Sequence, residues 1–302
     1  MKKNFIVGVF ILCACNLFAQ RASDFRMDLS SDGRGVIITR YSGRGTHVVI
    51  PRESEGLPVV EIGRNVFKNT KAMVSVDIPE TVRVIGESAF EGCQNLASIV
   101  LPENIISIGK DAFRGTGIQE LVFPASLRNV NEGAFSQTQI RTVTIPDNVI
   151  FPSNARAMNI DNGGVFAGCR QLTEAVFTGT RTFIPGGMFA NTNLSNIIFP
   201  TGLEIIESNA FLGCGNLREI NLPDTVKILG DWSFSRSGIT TINLPRDIVE
   251  IRTGCFGYSN LTTVNIPENV TRINFVGYNL GSPFVSTNLS RISRSRLEDV
   301  GL

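Results

Sequence analysis

Apolar residues recur along this chain in a fixed order. Segments such as 96–102 and 217–223 read apolar-x-x-apolar-x-apolar-Pro. Because successive side chains of a strand point to opposite faces, the alternating part predicts a short strand with one buried face. Proline cannot donate a ladder hydrogen bond and therefore ends that strand. A second apolar stretch follows the proline, as in residues 82–86. We interpret it as the returning side of a coil.

One phenylalanine occupies the same place in each repeat, often after a small residue, and successive ones are mostly 22 or 23 residues apart. The series is Phe67, Phe90, Phe113, Phe135, Phe166, Phe189, Phe211, Phe234, Phe256 and Phe284. Prolines run in step with it, and Thr178 takes the place of one of them. A coil can bury its phenylalanine only against neighbouring coils, so the array is predicted to fold as one body.

The period and the L-x-x-L-x-L core are those of a leucine-rich repeat. The predicted fold is a mainly β, right-handed solenoid of about ten coils of 22–23 residues, with a short helix or 3-10 turn at each phenylalanine. A single domain is expected over residues 20–302, with an entry cap at 24–60, repeats at 61–294 and a C-terminal end at 295–302.

The repeat resembles the BspA-like leucine-rich repeats, the treponemal class of bacterial surface proteins. Residues 78–96 match the pattern I-P-x-x-V-x-x-I-G-x-x-A-F-x-x-C/T-x-L closely, and residues 31–41 and 48–60 resemble the entry coils of that family. The resemblance covers residues 24–294. It departs at an insertion of roughly nine residues within 150–163, at Thr178, and in the last coil, which has an extended stretch at 274–280. The insertion is either a protruding loop at a binding face or a neutral bulge.

The first nineteen residues have the features of an export signal. Lys2 and Lys3 precede an apolar run at 5–12, which is too short to span a bilayer. Cleavage after Ala19 would give an ordinary secreted chain. Residues 12–15 alternatively resemble a lipobox, which would make Cys15 a lipidated N-terminus and the only membrane attachment.

Composition excludes several functions. The chain has 302 residues, of which 42% are hydrophobic and 18% charged, which is too apolar for a disordered chain. Without Lys2 and Lys3 it carries 26 basic and 27 acidic residues, which does not fit a nucleic-acid binder. His47 is the single histidine, so a metal site built on a histidine pair is ruled out. No known catalytic motif occurs. We therefore expect no enzymatic activity, no cofactor and no metal.

A column of small residues follows the phenylalanines by three positions. Its members all carry a hydroxyl or a thiol: Thr70, Cys93, Thr116, Thr138, Cys169, Thr192, Cys214, Ser237, Ser259 and Thr287. Short inward donors in this column would satisfy turn carbonyls. Four cysteines follow the signal. Those of the column lie two or three coils apart, roughly 10–14 Å at the strand spacing, beyond the limit of about 7 Å for a disulfide. We therefore predict four buried free thiols, Cys255 included.

Two outward columns of the strands are the candidate ligand-binding surface on the expected concave sheet. Their apolar members occupy the first half, and asparagines dominate the second. The candidate residues are Val100, Val122, Val176, Ile198, Glu120, Glu174, Asn196, Glu219, Asn221, Asn243 and Asn265. The apolar members indicate either a binding patch or only the suitability of β-branched residues for strands. His47 is expected as a surface cap residue of the entry segment, with a ligand-binding role as the alternative. Trp232 is expected to pack on a coil edge, with a role as a binding anchor as the alternative.

Resemblance to the BspA-like proteins implies adhesion. The expected function is a secreted or surface-tethered recognition scaffold that binds host matrix or cell-surface proteins, or other bacteria. The alternative is a periplasmic or envelope scaffold with a bacterial partner.

Overall fold

A computed structural model describes residues 22–153 and 163–273, together with Phe284, Thr287 and the backbone of the strand Arg291–Ser293. The export signal with Cys15, most of the insertion and the end at 295–302 lie outside the described residues, so these expectations stay predictions.

The chain winds as a solenoid in which each coil has two strand-bearing sides. Parallel strands of successive coils pair at intervals of one coil, as Val84 pairs with Ser107 and Ser107 with Asn129. The first side carries the L-x-x-I-x-I segment that ends at proline. The second carries the short apolar stretch after it, in strands mostly two residues long. The predicted mainly β solenoid is confirmed.

The described strands fall into five sheets. First-side strands are β3 (His47–Val49), β6 (Ser75–Asp77), β10 (Thr142–Ile145), β11 (Glu174–Phe177), β13 (Asn196–Ile198), β16 (Thr241–Asn243), β18 (Thr263–Asn265) and β20 (Arg291–Ser293). The others are β1 (Phe25–Leu29), β2 (Val36–Tyr41), β4 (Glu53–Ser54), β5 (Leu57–Ile62), β7 (Val84–Ile85), β8 (Ser107–Ile108), β9 (Asn129–Val130), β12 (Phe183–Ile184), β14 (Ile205–Ile206), β15 (Ile228–Leu229), β17 (Glu250–Ile251) and β19 (Arg272–Ile273).

An antiparallel hairpin begins the described fold. Strand β1 pairs with β2, and β2 then pairs in parallel with β5, from which the second-side sheet continues through β7, β8 and β9. Phe25 and Tyr41 from the hairpin contact Phe67 at ring-centroid distances of 6.5 and 5.0 Å. The hairpin therefore covers the first phenylalanine, which no preceding coil could bury.

The phenylalanines form a continuous column through the core. From Phe67 to Phe284, successive rings are stacked with centroids 5.0–6.0 Å apart and planes within 3–16° of each other. The nine rings from Phe67 to Phe256 have no solvent exposure. Phe123, Phe177 and Phe199 meet this column edge-on at 6.0–6.1 Å. One aromatic per coil thus makes a core that runs the length of the described array.

The chain around each described phenylalanine of the column is a turn, which is one of the two alternatives expected there, and no helix occurs at these described positions. The one helix among the described residues is the 3-10 helix Ala22–Asp24. Backbone N–H groups of the column from Phe67 to Phe234 donate to the next coil at 2.7–3.0 Å, as Phe90 does to Ala112. Residues two places before and after the phenylalanine also donate to the next coil, and most of them have positive φ. Alternate peptide groups therefore face the neighbouring coil, which a helix does not permit.

The insertion coincides with a break in the second side. Strand β9 ends one sheet, with Asn129 bridged to Ile150, and β12 begins the next. Phe151 stays buried, and the Arg181 guanidinium lies 5.1 Å from its ring centroid. The first-side strands β10 and β11 pair across the same interval. The longer coil thus interrupts one side of the solenoid and leaves the other in register.

Candidate functional site

The hydroxyl and thiol column forms hydrogen bonds inside the turn. The Thr116, Thr138 and Thr192 hydroxyls each donate to the phenylalanine carbonyl of their own coil at 2.9 Å. The column's three cysteines donate instead to the phenylalanine carbonyl of the preceding coil, at 3.0–3.2 Å, from Cys93, Cys169 and Cys214. The hydrogen-bonding role predicted for this column is confirmed for these members. The buried Ser237 hydroxyl departs from it, since it has no partner.

The four described cysteines are buried and unpaired, in agreement with the spacing argument. Desolvation raises the pKa of Cys93, Cys169 and Cys214 to about 11 and that of Cys255 to about 12. The Cys255 thiol lies 3.2 Å from the Ser233 hydroxyl in the small-residue column before the phenylalanine. A thiol must be deprotonated to act as a nucleophile or a metal ligand, so these side chains are structural.

We call the solvent-facing surface of the first side the strand face. Three of its apolar candidates project strongly into solvent: Val100 is 82% exposed, Val122 81% and Ile198 53%. Val176 is half-buried in β11 and lies opposite Ile198 of β13. Val100 and Val122 lie in segments without strand pairing. Three of the four apolar candidates are therefore exposed, and strand register aligns two of the four, Val176 and Ile198.

Polar candidates accompany and continue this column. Glu174 is half-buried and lies opposite Asn196 in the register of strands β11 and β13. Asn243 lies opposite Asn265 in the register of β16 and β18. The remaining polar candidates are exposed: Glu120, Asn196, Glu219, Asn221, Asn243 and Asn265. The strand face thus brings all eleven predicted residues to one side, with its amides concentrated toward the C-terminal coils.

His47 belongs to the first strand of this face, a placement that the outward columns did not include. In β3 it lies opposite Ser75, with Nδ1 2.6 Å from the serine hydroxyl and Nε2 3.3 Å from an Asp77 carboxylate oxygen. The sequence signal for this strand is Val48 and Val49 followed by Ile50 and Pro51, because later coils end their first-side strands in the same way. The strand face therefore begins one coil earlier than the sequence columns indicated.

Other chemistries find little support in the described part of the chain. No group of three or more His, Cys, Asp or Glu residues there could hold a metal ion. No helix within it is long and apolar enough to cross a membrane. The described coils provide an extended surface.

Comparison with known proteins agrees with this geometry. A family model described as "BspA type Leucine rich repeat region (6 copies)" matches residues 60–182 and 158–279. No match was found among curated proteins. A leucine-rich repeat protein from Bacteroides ovatus is 23% identical, with 91% of this chain and 70% of that chain covered and a TM-score of 0.73. The pneumococcal vaccine antigen PcpA is 16% identical over 91% and 86%, with a TM-score of 0.57.

The matched residues span most of the chain, and the solved structures share its solenoid fold. Repeats of this kind stack into extended surfaces for protein interaction. This chain belongs to the BspA type leucine-rich repeat family.

Proposed function

We propose that the chain is an exported recognition scaffold that binds a protein ligand through its strand face. The observation that carries the proposal is the column of exposed β-branched side chains at Val100, Val122 and Ile198. Val100 and Val122 lie on adjacent coils, and Ile198 lies three coils further along the same column, after Thr144 and Val176. Clustered exposed apolar side chains are typical of protein interaction sites.

The polar half of the strand face complements this patch. Asparagines 221, 243 and 265 each offer a donor and an acceptor, and all three are exposed. An interface with an apolar centre and a polar surround has the usual composition of protein–protein contacts. The ligand would therefore present an apolar ridge to the first half and hydrogen-bonding groups to the second.

Export and adhesion rest on the sequence. The basic start, the apolar run and the candidate cleavage sites support secretion or lipid attachment at Cys15. The similarity in fold to PcpA, a vaccine antigen, supports an exposed location. We propose host matrix or cell-surface proteins as the ligands. Protease shaving of intact cells tests the location, because protection of the chain would favour a periplasmic scaffold.

The binding test compares two sets of substitutions in the mature chain. Val100→Ser, Val122→Ser and Ile198→Ser together remove the apolar column, while Ile106→Ser and Val249→Ser remove exposed apolar side chains of the second side. Biolayer interferometry against purified matrix proteins should show at least a tenfold loss of affinity for the first variant only. Equal binding by the triple variant would contradict a role for the strand face.

A further inference from the structure

A second surface lies along the turns that contain the phenylalanines. We call it the turn edge and define it by the positions two places before and two, four or five places after each phenylalanine. The position two places after the phenylalanine has a positive φ in every described coil, from Asn69 at 60° to Tyr258 at 58°. Glycine and asparagine tolerate this conformation, and they occupy six of the nine positions.

Bulky residues accept the same strained conformation in two adjacent coils. Arg236 and Tyr258 occupy the position after the phenylalanine, and Trp232 occupies the strained position before it, with φ values of 55°, 58° and 56°. Such strain costs free energy and persists at functional sites. The single tryptophan of the chain is among these three residues.

The three side chains form one cluster. The Trp232 and Tyr258 rings are 16° from parallel, with centroids 6.4 Å apart, and the Arg236 guanidinium lies 5.8 Å from the Tyr258 centroid. A Cβ on Gly254 would collide with the Trp232 ring, so glycine is required beneath it. Tyr258 remains 43% exposed. The cluster is an aromatic platform with the Arg236 guanidinium over one of its rings.

A polar groove opens on the same edge two coils earlier. Its volume is about 750 Å³, and its lining includes Gln137, Gln139, Gln171, Asn191, Arg170 and Gly168. The groove ends at the coil of Phe189, and the platform begins at the coil of Phe234. Along the core between them, the ring centroids from Phe189 to Phe211 and from Phe211 to Phe234 are 5.6 and 5.2 Å apart. Amide side chains supply both donors and acceptors to the groove.

Both parts of the turn edge contain an exposed arginine. Within the described part of the chain neither Arg170 nor Arg236 forms an ion pair, as is also true of Arg141 and Arg218 on other surfaces. Arginine recognises carboxylates through paired hydrogen bonds. What distinguishes Arg170 and Arg236 is their place beside the groove and the aromatic rings, where each could engage a carboxylate of the same ligand.

We propose that the turn edge binds an acidic oligosaccharide. A sugar ring presents its C–H face to Trp232 and Tyr258, its hydroxyls satisfy the amides of the groove, and its carboxylates engage Arg170 and Arg236. Peptide ligands obtain specificity from side-chain pockets, and this groove offers amides in their place. The site is separate from the strand face and does not depend on the function proposed for it.

The test uses a hexasaccharide of alternating uronic acid and N-acetylhexosamine, with maltohexaose as the neutral probe and a proline-rich peptide as the competing class. Arg170→Gln and Arg236→Asn copy residues that other coils carry in the same columns, such as Gln139 and Asn191, so both variants should fold. Arg246→Gln, in the turn that follows a first-side proline, is the matched control.

Calorimetric titration should show binding of the acidic hexasaccharide, at least a tenfold weaker affinity in Arg170→Gln, Arg236→Asn and Tyr258→Asn, and no change in Arg246→Gln. The serine variant of the strand face should keep its affinity, which separates this result from the first proposal. The proposal is overturned if the acidic probe does not bind, if maltohexaose or the peptide binds as tightly, or if the arginine variants bind like the parent chain.

Discussion

The phenylalanine turns and the strand face belong to the same coils but differ in regularity. At the turns, the described backbone donates to the next coil in nearly the same pattern each time, and the rings are fully buried. On the strand face, pairing lapses at residues 98–100, 120–122 and 219–221, and the side chains there are largely exposed. The hydrogen bonding of the turns is therefore nearly constant from coil to coil, whereas the strand pairing of the strand face varies.

This contrast indicates that stability and recognition are carried by different parts of each coil. Substitutions in the turns should therefore reduce stability, whereas those on the strand face should change binding and leave stability nearly intact. Four measurements test this division.

The largest effect is expected from the aromatic column. Phe113 is fully buried between Phe90 and Phe135, with centroids at 5.2 and 5.3 Å. Phe113→Ala should lower the free energy of unfolding by about 3–5 kcal/mol, because it removes a large side chain and leaves a cavity between coils. Urea unfolding followed by circular dichroism measures it. A loss below about 1 kcal/mol would mean that the column does not carry the core.

The buried thiols should make the turns sensitive to alkaline pH. Burial raises the pKa of Cys214 to about 11 from 9.0, so the folded state favours the neutral thiol. The resulting stability is complete below about pH 9 and is lost as the pH rises toward 11, because the unfolded thiol ionises first. By pH 10 this loss is about 1 kcal/mol for one thiol.

Cys214→Thr isolates that contribution, because Thr192 occupies the same column in the preceding coil. Urea unfolding of both chains at pH 7 and pH 10 gives their free energies of unfolding. The value for the parent chain minus that for the variant should fall by about 1 kcal/mol between the two pH values. Parallel curves for parent and variant would show that Cys214 is not desolvated in solution.

Backbone conformation at the turns gives a smaller effect. Gly115 has φ +67° and open space where a Cβ would stand, so Gly115→Ala should cost about 1 kcal/mol from the left-handed conformation alone. Gly254→Ala should cost more, because its φ is +59° and its Cβ would also collide with the Trp232 ring. Gly215, with no positive φ and open space around it, is the control for thermal unfolding. Equal effects at all three would contradict this account.

The smallest effect is expected on the strand face. Val122 is 81% exposed, so Val122→Ser should change the free energy of unfolding by less than about 0.5 kcal/mol. The same urea titration as for Phe113→Ala checks it. A loss comparable to that of a turn substitution would show that the two regions are not independent.

Periodicity made much of this fold predictable. The phenylalanine column, the hydrogen-bonding role of Thr138 and the outward position of Val100 all follow from one residue type recurring at one coil position. The sequence left a turn and a short helix open, because both bury the same phenylalanine, and it did not predict the left-handed conformation on either side of that residue. The signal that could have revealed it is the alternation of glycine and asparagine around Asn69 and Gly92.

The candidate sites were less predictable for a physical reason. Repetition identifies a column, which is how the strand face was predicted, whereas the cluster on the turn edge consists of departures from its columns. Tryptophan and arginine each occur once in the columns of Trp232 and Arg236, so the pattern favoured packing over a binding anchor for Trp232. Their relation became visible once the coil geometry brought Tyr258 beside both.

The coil-to-coil hydrogen bonds have a consequence for how such a chain can change in evolution. Each phenylalanine N–H donates only to the adjacent coil, so every described coil meets much the same partners before and after it. An in-frame duplication of 22 or 23 residues would therefore preserve the existing contacts and extend the array by one unit. Recombination can in this way lengthen or shorten the molecule, and shift one surface feature relative to another, without redesign of its interior.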